Sequence, residues 1–405
     1  MQDRAIIPRR PEWMLFVVLG LVGLALEPGL FAIGPMIGEV QGSIDLSDTQ
    51  IGLLAAVPTL FMGLTAILGG RLADGWGAER TIALGLACIA IGGGARGVSD
   101  NVLGLFLWSM LFGAGMGITF SATPSVVRQW FPSRLGLANA IYTLGMLAGL
   151  ITASGISGTV LSPWLGGWGN VLILWGVVAA VVLVIWMIVA TPWTFGPPPT
   201  TPGSPTDASW NPLKVKAVWA LTVLYAGQGL TYFLLAIWTP VLYEEAGLSS
   251  SGAAWRVMLI TVACLPASFL LPVISDRIGS RRGPMVFSSL MMLIGSIGFY
   301  LAPAHPVLGW LWPFCAGFGA SGILVIGLIR IAEVAPLGQT GEASAMVMSI
   351  GYVLTAIGPA LAGVLRQATG DLHQAMLFEL LVAAVMIPFA LSTPKRAGMD
   401  YPTDA

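Results

Sequence analysis

The chain has 405 residues, of which 56% are hydrophobic and only 9% charged, with a formal net charge of −1 and a mean hydropathy of +0.85. Soluble domains carry about 25% charged residues, so an ordinary soluble protein is excluded and the chain belongs in a bilayer. Cys88, Cys264 and Cys315 all fall inside apolar runs, where cysteine acts as a small hydrophobe, so neither a disulfide framework nor a redox centre is implied.

Apolar stretches of roughly 17–25 residues, the length of a spanning helix, occur at about 13–36, 50–69, 81–97, 102–122, 136–160, 170–191, 216–242, 256–274, 284–302, 308–331, 343–364 and 375–392. Continuous runs of this kind can span only as helices, because backbone polar groups in hydrocarbon must be satisfied within the segment. The first run is too long for a signal peptide and is expected to be retained, with Arg9 and Arg10 as its positive flank. With the N-terminus inside, fifteen basic residues fall on the inner side and only Arg96, Arg256 and Arg366 toward the outer side. Both termini are therefore expected in the cytoplasm of a bacterial inner membrane protein.

Between the sixth and seventh runs, seven prolines lie between Pro192 and Val215. Such a stretch predicts an extended cytoplasmic linker over 192–215, dividing a six-helix half at 1–191 from a second at 216–405. Glycines mark expected close helix contacts: Gly113, Gly115 and Gly117 in the fourth run, and Gly145, Gly149, Gly155 and Gly158 in the fifth.

Glu27 stands past the middle of the first run, before Pro28 and Gly29. An ionised side chain there costs about 3 kcal/mol on insertion scales, and the Pro-Gly pair is expected to break the helix and free carbonyls. Glu27 is thus the candidate to bind a proton, a cationic substrate group, or both; a structural hydrogen bond is the alternative. Glu379 in the last run reads as water-facing or as an interhelical hydrogen bond. The seventh run carries a polar and aromatic stripe, Gln228, Tyr232 and Trp238, with Thr231 and Thr239 beside it; Gln228 and Tyr232, four apart, share a face. With Tyr142 and Tyr352, these offer stacking surface and hydrogen bonds to a small planar solute, although packing would also explain each one. His305 and His373 fall in loops, and neither a metal nor a cofactor is expected. No G-x-x-x-x-G-K-[ST] loop points to ATP-driven pumping, and no nucleophile-base pair points to an enzyme.

One polar turn is written twice. Gly70-Arg71-Leu72-Ala73-Asp74-Gly75-Trp76-Gly77-Ala78-Glu79-Arg80 and the stretch from Pro272 through Asp276, Arg277, Gly279, Arg281 and Arg282 each separate two apolar runs. Their aspartates lie 276 − 74 = 202 residues apart, so the chain reads as one unit repeated. The turn resembles the signature G-x-x-x-D-[R/K]-x-G-x-[R/K]-[R/K] of the major facilitator superfamily. The second copy keeps D-R-x-G-x-R-R, with Pro272 in place of the first glycine; the first has Gly75, Ala78 and Glu79 at basic positions.

The resemblance implies an all-α membrane fold of twelve helices in two pseudo-symmetric halves, alternating access, and a site built mainly from helices 1, 4, 7 and 10. It also implies a cytoplasmic latch: Asp74 pairing with Arg128 and with the start of helix 11 near Glu342 to Ser344, and Asp276 acting likewise toward helix 5. Within the superfamily the second half is similar to the cyanate and 2-nitroimidazole transporter branch, through Gln228-Gly229-Leu230-Thr231-Tyr232, Ala236-Ile237-Trp238-Thr239-Pro240, Leu265-Pro266-Ala267-Ser268 and Ser349-Ile350-Gly351-Tyr352. That branch usually reads L-R-P where this chain has Leu26-Glu27-Pro28, which favours a neutral or cationic solute over an anion. The expected function is secondary transport of a small organic solute, neutral or cationic and possibly aromatic, coupled to protons, by a monomer with no nucleic-acid partner. Multidrug-type efflux, small-anion transport and a non-transporting receptor on the same scaffold remain alternatives.

Overall fold

The computed structural model describes residues 11–131, 134–190, 211–334 and 340–394. The side chains of Asp74, Arg128, Leu135, Gly136, Ala332 and residues 340–345 fall outside that description, as does most of the expected proline-rich linker. Twelve helices are long and apolar enough to cross a membrane: α1 (Glu12–Ser43), α2 (Asp48–Ala73), α3 (Ala78–Arg96), α4 (Val102–Val127), α5 (Leu137–Leu165), α6 (Trp168–Ala190), α7 (Lys216–Glu245), α8 (Ser250–Ile278), α9 (Arg282–Leu301), α10 (Leu308–Ile331), α11 (Met346–Thr369) and α12 (His373–Ser392). An even number of crossings returns the chain to the side where it began. That side is the terminal face here, and the opposite side the far face.

Several helices outrun the apolar stretches that announce them, because a helix stops at a cap rather than where hydropathy falls. Ser47 and Gln50 cap the start of α2 reciprocally, the Gln50 N–H donating to Ser47 Oγ (3.2 Å) and the Ser47 N–H to Gln50 Oε1 (2.9 Å). Asn101 and Ser249 cap α4 and α8 in one direction, accepting from the Gly104 and Gly252 N–H groups (2.8 and 3.2 Å). The first span is broken where Pro28 predicts it. A regular helix runs Glu12–Leu26, Glu27 is its C-cap, and a short turn (Pro28–Phe31) and a 3-10 segment (Gly34–Met36) lead to Ile37–Ser43. Proline supplies no N–H and crowds the preceding turn, so the helix restarts rather than continuing.

The two sets of six helices repeat one packing scheme. In the first, α1 packs on α5, α2 and α3 on α4, and α3 on α6; in the second, α7 packs on α11, α8 and α9 on α10, and α9 on α12. The seams between the sets are equivalent too, α2 against α11 and α5 against α8. Small residues let these backbones meet. Gly113 and Gly117 face α2 at Pro58 and Met62, while Gly115 faces α3 at Gly85 and Ile89. Gly145 and Gly149 of α5 lie on the Gly20 and Leu24 backbone of α1. A methyl group at Gly145 would press on the Gly20 carbonyl, which cannot step aside as a side chain can. Gly145→Ala is therefore expected to cost about 1–3 kcal/mol and lower the melting temperature in detergent. Gly70→Ala, with no atom within 4 Å of the added carbon, is expected to be neutral or stabilising by about 0.5–1 kcal/mol. Equal melting temperatures for the two variants would refute this contact.

Candidate functional site

Between the two sets of helices lies a cavity of about 430 Å³. Its wall comes from α1, α4, α7 and α10, as the resemblance implies, and also from α2, α5, α8 and α11. Toward the terminal face it reaches Pro124, Asn139, Leu328 and Met348, within about a turn or two of their helix ends. Toward the far face it stops at mid-span residues such as Glu27, Phe31 and Tyr232.

Among the described residues, Glu27 is the one charged side chain on that wall. Its residue is 8% exposed, and its carboxylate makes no hydrogen bond or ion pair with a described residue. The break after it sets the geometry: its own carbonyl accepts from Leu30 and Phe31 (3.0 and 3.2 Å), so the carboxylate leaves α1 where the helix is interrupted. Behind the break, the fully buried Arg96 donates to the Gly29 carbonyl (2.8 Å), with its guanidinium 4.2 Å from the centre of the Phe112 ring. The Gly29 carbonyl, within the interrupted stretch, thus has a guanidinium donor, which fixes the broken segment. Arg96 counts as outer by charge asymmetry, yet it is fully buried behind the break.

Of the aromatic and amide candidates, Tyr142, Gln228, Tyr232 and Tyr352 all line the cavity. Trp238 does not: it is fully buried, donates to the Pro359 carbonyl (3.0 Å), and lies 5.8 Å from the Arg366 guanidinium. Ten residues past Gln228 it is nearly three turns nearer the far face, in the closure above the cavity rather than on its wall. Tyr225, unremarked in the sequence, lines the cavity with Phe31, Phe120 and Phe233. The signal for Tyr225 was present, since it stands three residues before Gln228 and seven before Tyr232, on the same helical stripe. The Tyr142 hydroxyl is buried with no hydrogen-bond partner among the described residues, and Thr123, also on the wall, donates to the Thr119 carbonyl (2.8 Å).

Over the cavity the far face is closed by contacts between the two sets of helices. Arg366 of α11 pairs with Asp48 of α2 and, at 3.0 Å, with Glu245 of α7. The Thr49 N–H donates to Gln367 Oε1 (3.2 Å), and Gly52 lies on the backbone of Pro359 and Ala360. Arg256 packs on Tyr243 and Trp310. The three basic residues assigned outside are therefore all engaged with protein.

At the terminal face the repeated turns are ordered by glycine where glycine is needed. Gly77 has φ +103° and Gly279 φ +60°, values that other residues adopt at a cost; Gly70 sits in open space within its helix. The expected partners Asp74 and Arg128 lie outside the described side chains. Asp276 is bound in its own turn by Arg281 at 2.5 Å. Arg281 also donates to Ser275 Oγ (2.9 Å) and to Glu333 (2.7 Å), and the bond to Glu333, ahead of that to Asp276, holds its guanidinium charged more firmly than usual. Arg80 and Arg277 are exposed.

Glu79, which breaks the signature, is 2% exposed and tied to two tryptophans. Trp130 Nε1 donates to its carboxylate (3.2 Å), Trp186 Nε1 to its carbonyl (3.0 Å), and the two indoles stack at 5.1 Å. Its place in the first turn of α3 also suits a negative charge. Glu79→Ala is expected to cost about 1–3 kcal/mol, and Glu79→Gln, which keeps an acceptor for Trp130, less than half of that, in thermal unfolding. Glu379 accepts from Ser296 Oγ (2.6 Å) across α9 and α12, fully buried. His373 stacks on Tyr300, and His305 Nδ1 accepts two backbone N–H groups of its loop. Among the described residues no group of three or more His, Cys, Asp or Glu could hold a metal.

Cyanate transport protein CynX of Escherichia coli (strain K12) is 28% identical over 390 residues, 94% of this chain and 98% of that one. The 2-nitroimidazole transporter of the same organism is 25% identical over 383 residues, 94% of each. Among solved structures, a bacterial homologue of the human lysosomal transporter Spinster, inward-facing and unoccupied, superposes with a TM-score of 0.78 at 17% identity, over 95% of this chain and 97% of that one. That likeness establishes the fold. The Major Facilitator Superfamily family model matches residues 15–279 and 221–402, nearly the whole length. A twelve-span bundle in two equivalent sets, a cavity between them and these matches lead to one conclusion: the chain belongs to the Major Facilitator Superfamily, a family of membrane transporters rather than enzymes.

Proposed function

We propose that the protein is a secondary transporter that moves a small organic solute, neutral or cationic, by alternating access and couples it to protons at Glu27. The observation that carries this reading is the lone carboxylate on the wall of the cavity between the two helix sets. A carboxyl group with no partner among the described residues is free to exchange a proton with a solute as the cavity changes sides. The terminal face is assigned to the cytoplasm of a bacterial inner membrane from the fifteen-to-three distribution of basic residues.

In this reading the closed far face and the cavity's extension to the terminal face describe an inward-facing state. The Arg366 pairs then open as the halves rock, and the repeated turns close the cytoplasmic side, with Asp74 and Arg128 as partners. A small anion such as cyanate is disfavoured, because no lysine, arginine or histidine among the described residues lines the cavity. Efflux of several solutes is a second reading, favoured by the four methionines on the wall, Met62, Met116, Met146 and Met348, whose side chains repack around different shapes.

The test is solute-dependent proton movement in proteoliposomes containing the purified protein and a pH-sensitive dye, with neutral, cationic and anionic solutes compared. A signal with a neutral or cationic solute is expected. Binding without flux would make the protein a receptor, and flux with anions alone would return the small-anion reading to first place.

A further inference from the structure

We infer that the cavity selects small organic cations with an apolar or aromatic body, the charge held by Glu27 and by the faces of the surrounding tyrosine rings. This rests on the transport reading and narrows its substrate class. Two groups of rings line the cavity that the carboxylate also lines. Phe120, Tyr142, Tyr225 and Tyr352 form a connected set from α4, α5, α7 and α11, with Phe120 and Tyr225 meeting Tyr352 edge-on at 86° and 88°. Phe31, Tyr232 and Phe233 form the other, from α1 and α7.

Rings that meet near a right angle are walls of a box rather than a flat stack. Such a box offers π faces and ring edges to what lies within it, and faces of this kind attract cations. Glu27 lines the same cavity as Tyr142, Tyr225, Tyr232 and Tyr352, so the carboxylate and both aromatic groups serve one small volume.

Charge and hydrogen bonding point the same way. Among the described residues no lysine, arginine or histidine lines the cavity, so an anion meets a like charge there, and a neutral solute leaves an ionised Glu27 uncompensated. The Tyr142 hydroxyl and Thr355 Oγ1, both buried on the wall, have no hydrogen-bond partner among the described residues; each can accept from an ammonium or ring N–H. A volume of about 430 Å³ lies at the small end of the range for organic ligands.

The experiment is calorimetric titration of the full-length protein in detergent with three probes that share a benzyl or phenyl body and differ in charge: benzyltrimethylammonium, benzyl alcohol and benzoate. The cation is expected to bind at least about tenfold more tightly than the alcohol, and benzoate not to bind. Glu27→Gln should weaken the cation at least about tenfold and move the alcohol less than about twofold. Tyr225→Phe, which keeps the ring, should stay near wild type, whereas Tyr225→Leu weakens the cation about fivefold.

The inference is overturned if benzoate or the alcohol binds as tightly as the cation, if the cation ignores Glu27→Gln, or if monodisperse wild-type protein binds no cation. Should a variant fail to fold, the three-probe series on wild type still decides. The two readings fail separately: flux driven by some other solute without cation binding sinks only the charge preference. Cation binding with no flux for any solute sinks only transport.

Discussion

Glu27→Gln is expected to lose at least about tenfold of solute-dependent proton flux while its melting temperature stays level or rises. Glutamine preserves the shape of the side chain and removes only the exchangeable proton and the charge. Because the Glu27 carboxylate has no hydrogen-bond partner among the described residues, nothing is orphaned by the change, which is the usual source of large stability losses. An ionised carboxylate at mid-span costs about 3 kcal/mol, so removing it relieves the fold rather than burdening it. A tenfold loss of rate corresponds to about 1.4 kcal/mol, well within what a coupling site controls. Glu27→Asp, one methylene shorter, should retain coupling at reduced rate. Unchanged flux and coupling in Glu27→Gln, measured in the same proteoliposomes, would remove Glu27 from the mechanism and leave its burial as a structural feature only.

Arg366→Ala is expected to open the far face. The arginine sits between Asp48 and Glu245, so truncation leaves two carboxylates facing each other across the seam between α2, α7 and α11. These side chains are 20–32% exposed, too wet for the energies of a buried pair and too enclosed for a free surface pair. A combined effect of about 1–3 kcal/mol is therefore expected, enough to shift a two-state balance by about 5–150-fold. Loss of the guanidinium above Trp238 adds to the same direction. Spin labels at exposed far-face positions of the two halves, Asp45→Cys and Gln374→Cys, would read the change on a background with Cys88, Cys264 and Cys315 replaced by alanine. A longer far-face distance in Arg366→Ala than in Arg366→Lys is the expected result. Identical distance distributions would show that the small-residue seam at Gly52 and Gly363 holds the closure alone.

The spans, their number and their repeat were legible because a bilayer imposes one solution on long apolar runs. The break at Pro28 was legible for a similarly local reason, as was the Gly145 and Gly149 contact face on α5. The candidate site was half legible. Tyr142, Gln228, Tyr232 and Tyr352 stood out as polar or aromatic groups in apolar surroundings, and the cavity brings all four together. Trp238 met the same criterion and lies elsewhere, because residue type says nothing about depth along a helix relative to a closure made by other helices. Tyr225 stood on the stripe of Gln228 and Tyr232 and went unmarked, whereas Phe31, Phe120 and Phe233 carried no such signal, because an aromatic ring in an apolar run is indistinguishable from core until its neighbours are known.

The charged residues divide in the same way. Fifteen basic residues against three set an expected orientation without any fold, since the membrane acts on each loop separately. Their partners were beyond reach: Arg366 meets Asp48 across 318 positions of sequence, and Arg96 meets Gly29 across 67. Glu79 looked like a defect in a signature and is the anchor of two tryptophans. Local chemistry, read residue by residue, was enough for membrane residence, twelve helices, the repeat and the lone carboxylate before a proline. Only tertiary structure could decide which rings surround that carboxylate, which arginine holds the break behind it, and which face is closed. Those properties depend on distances between helices, which no single run of residues contains.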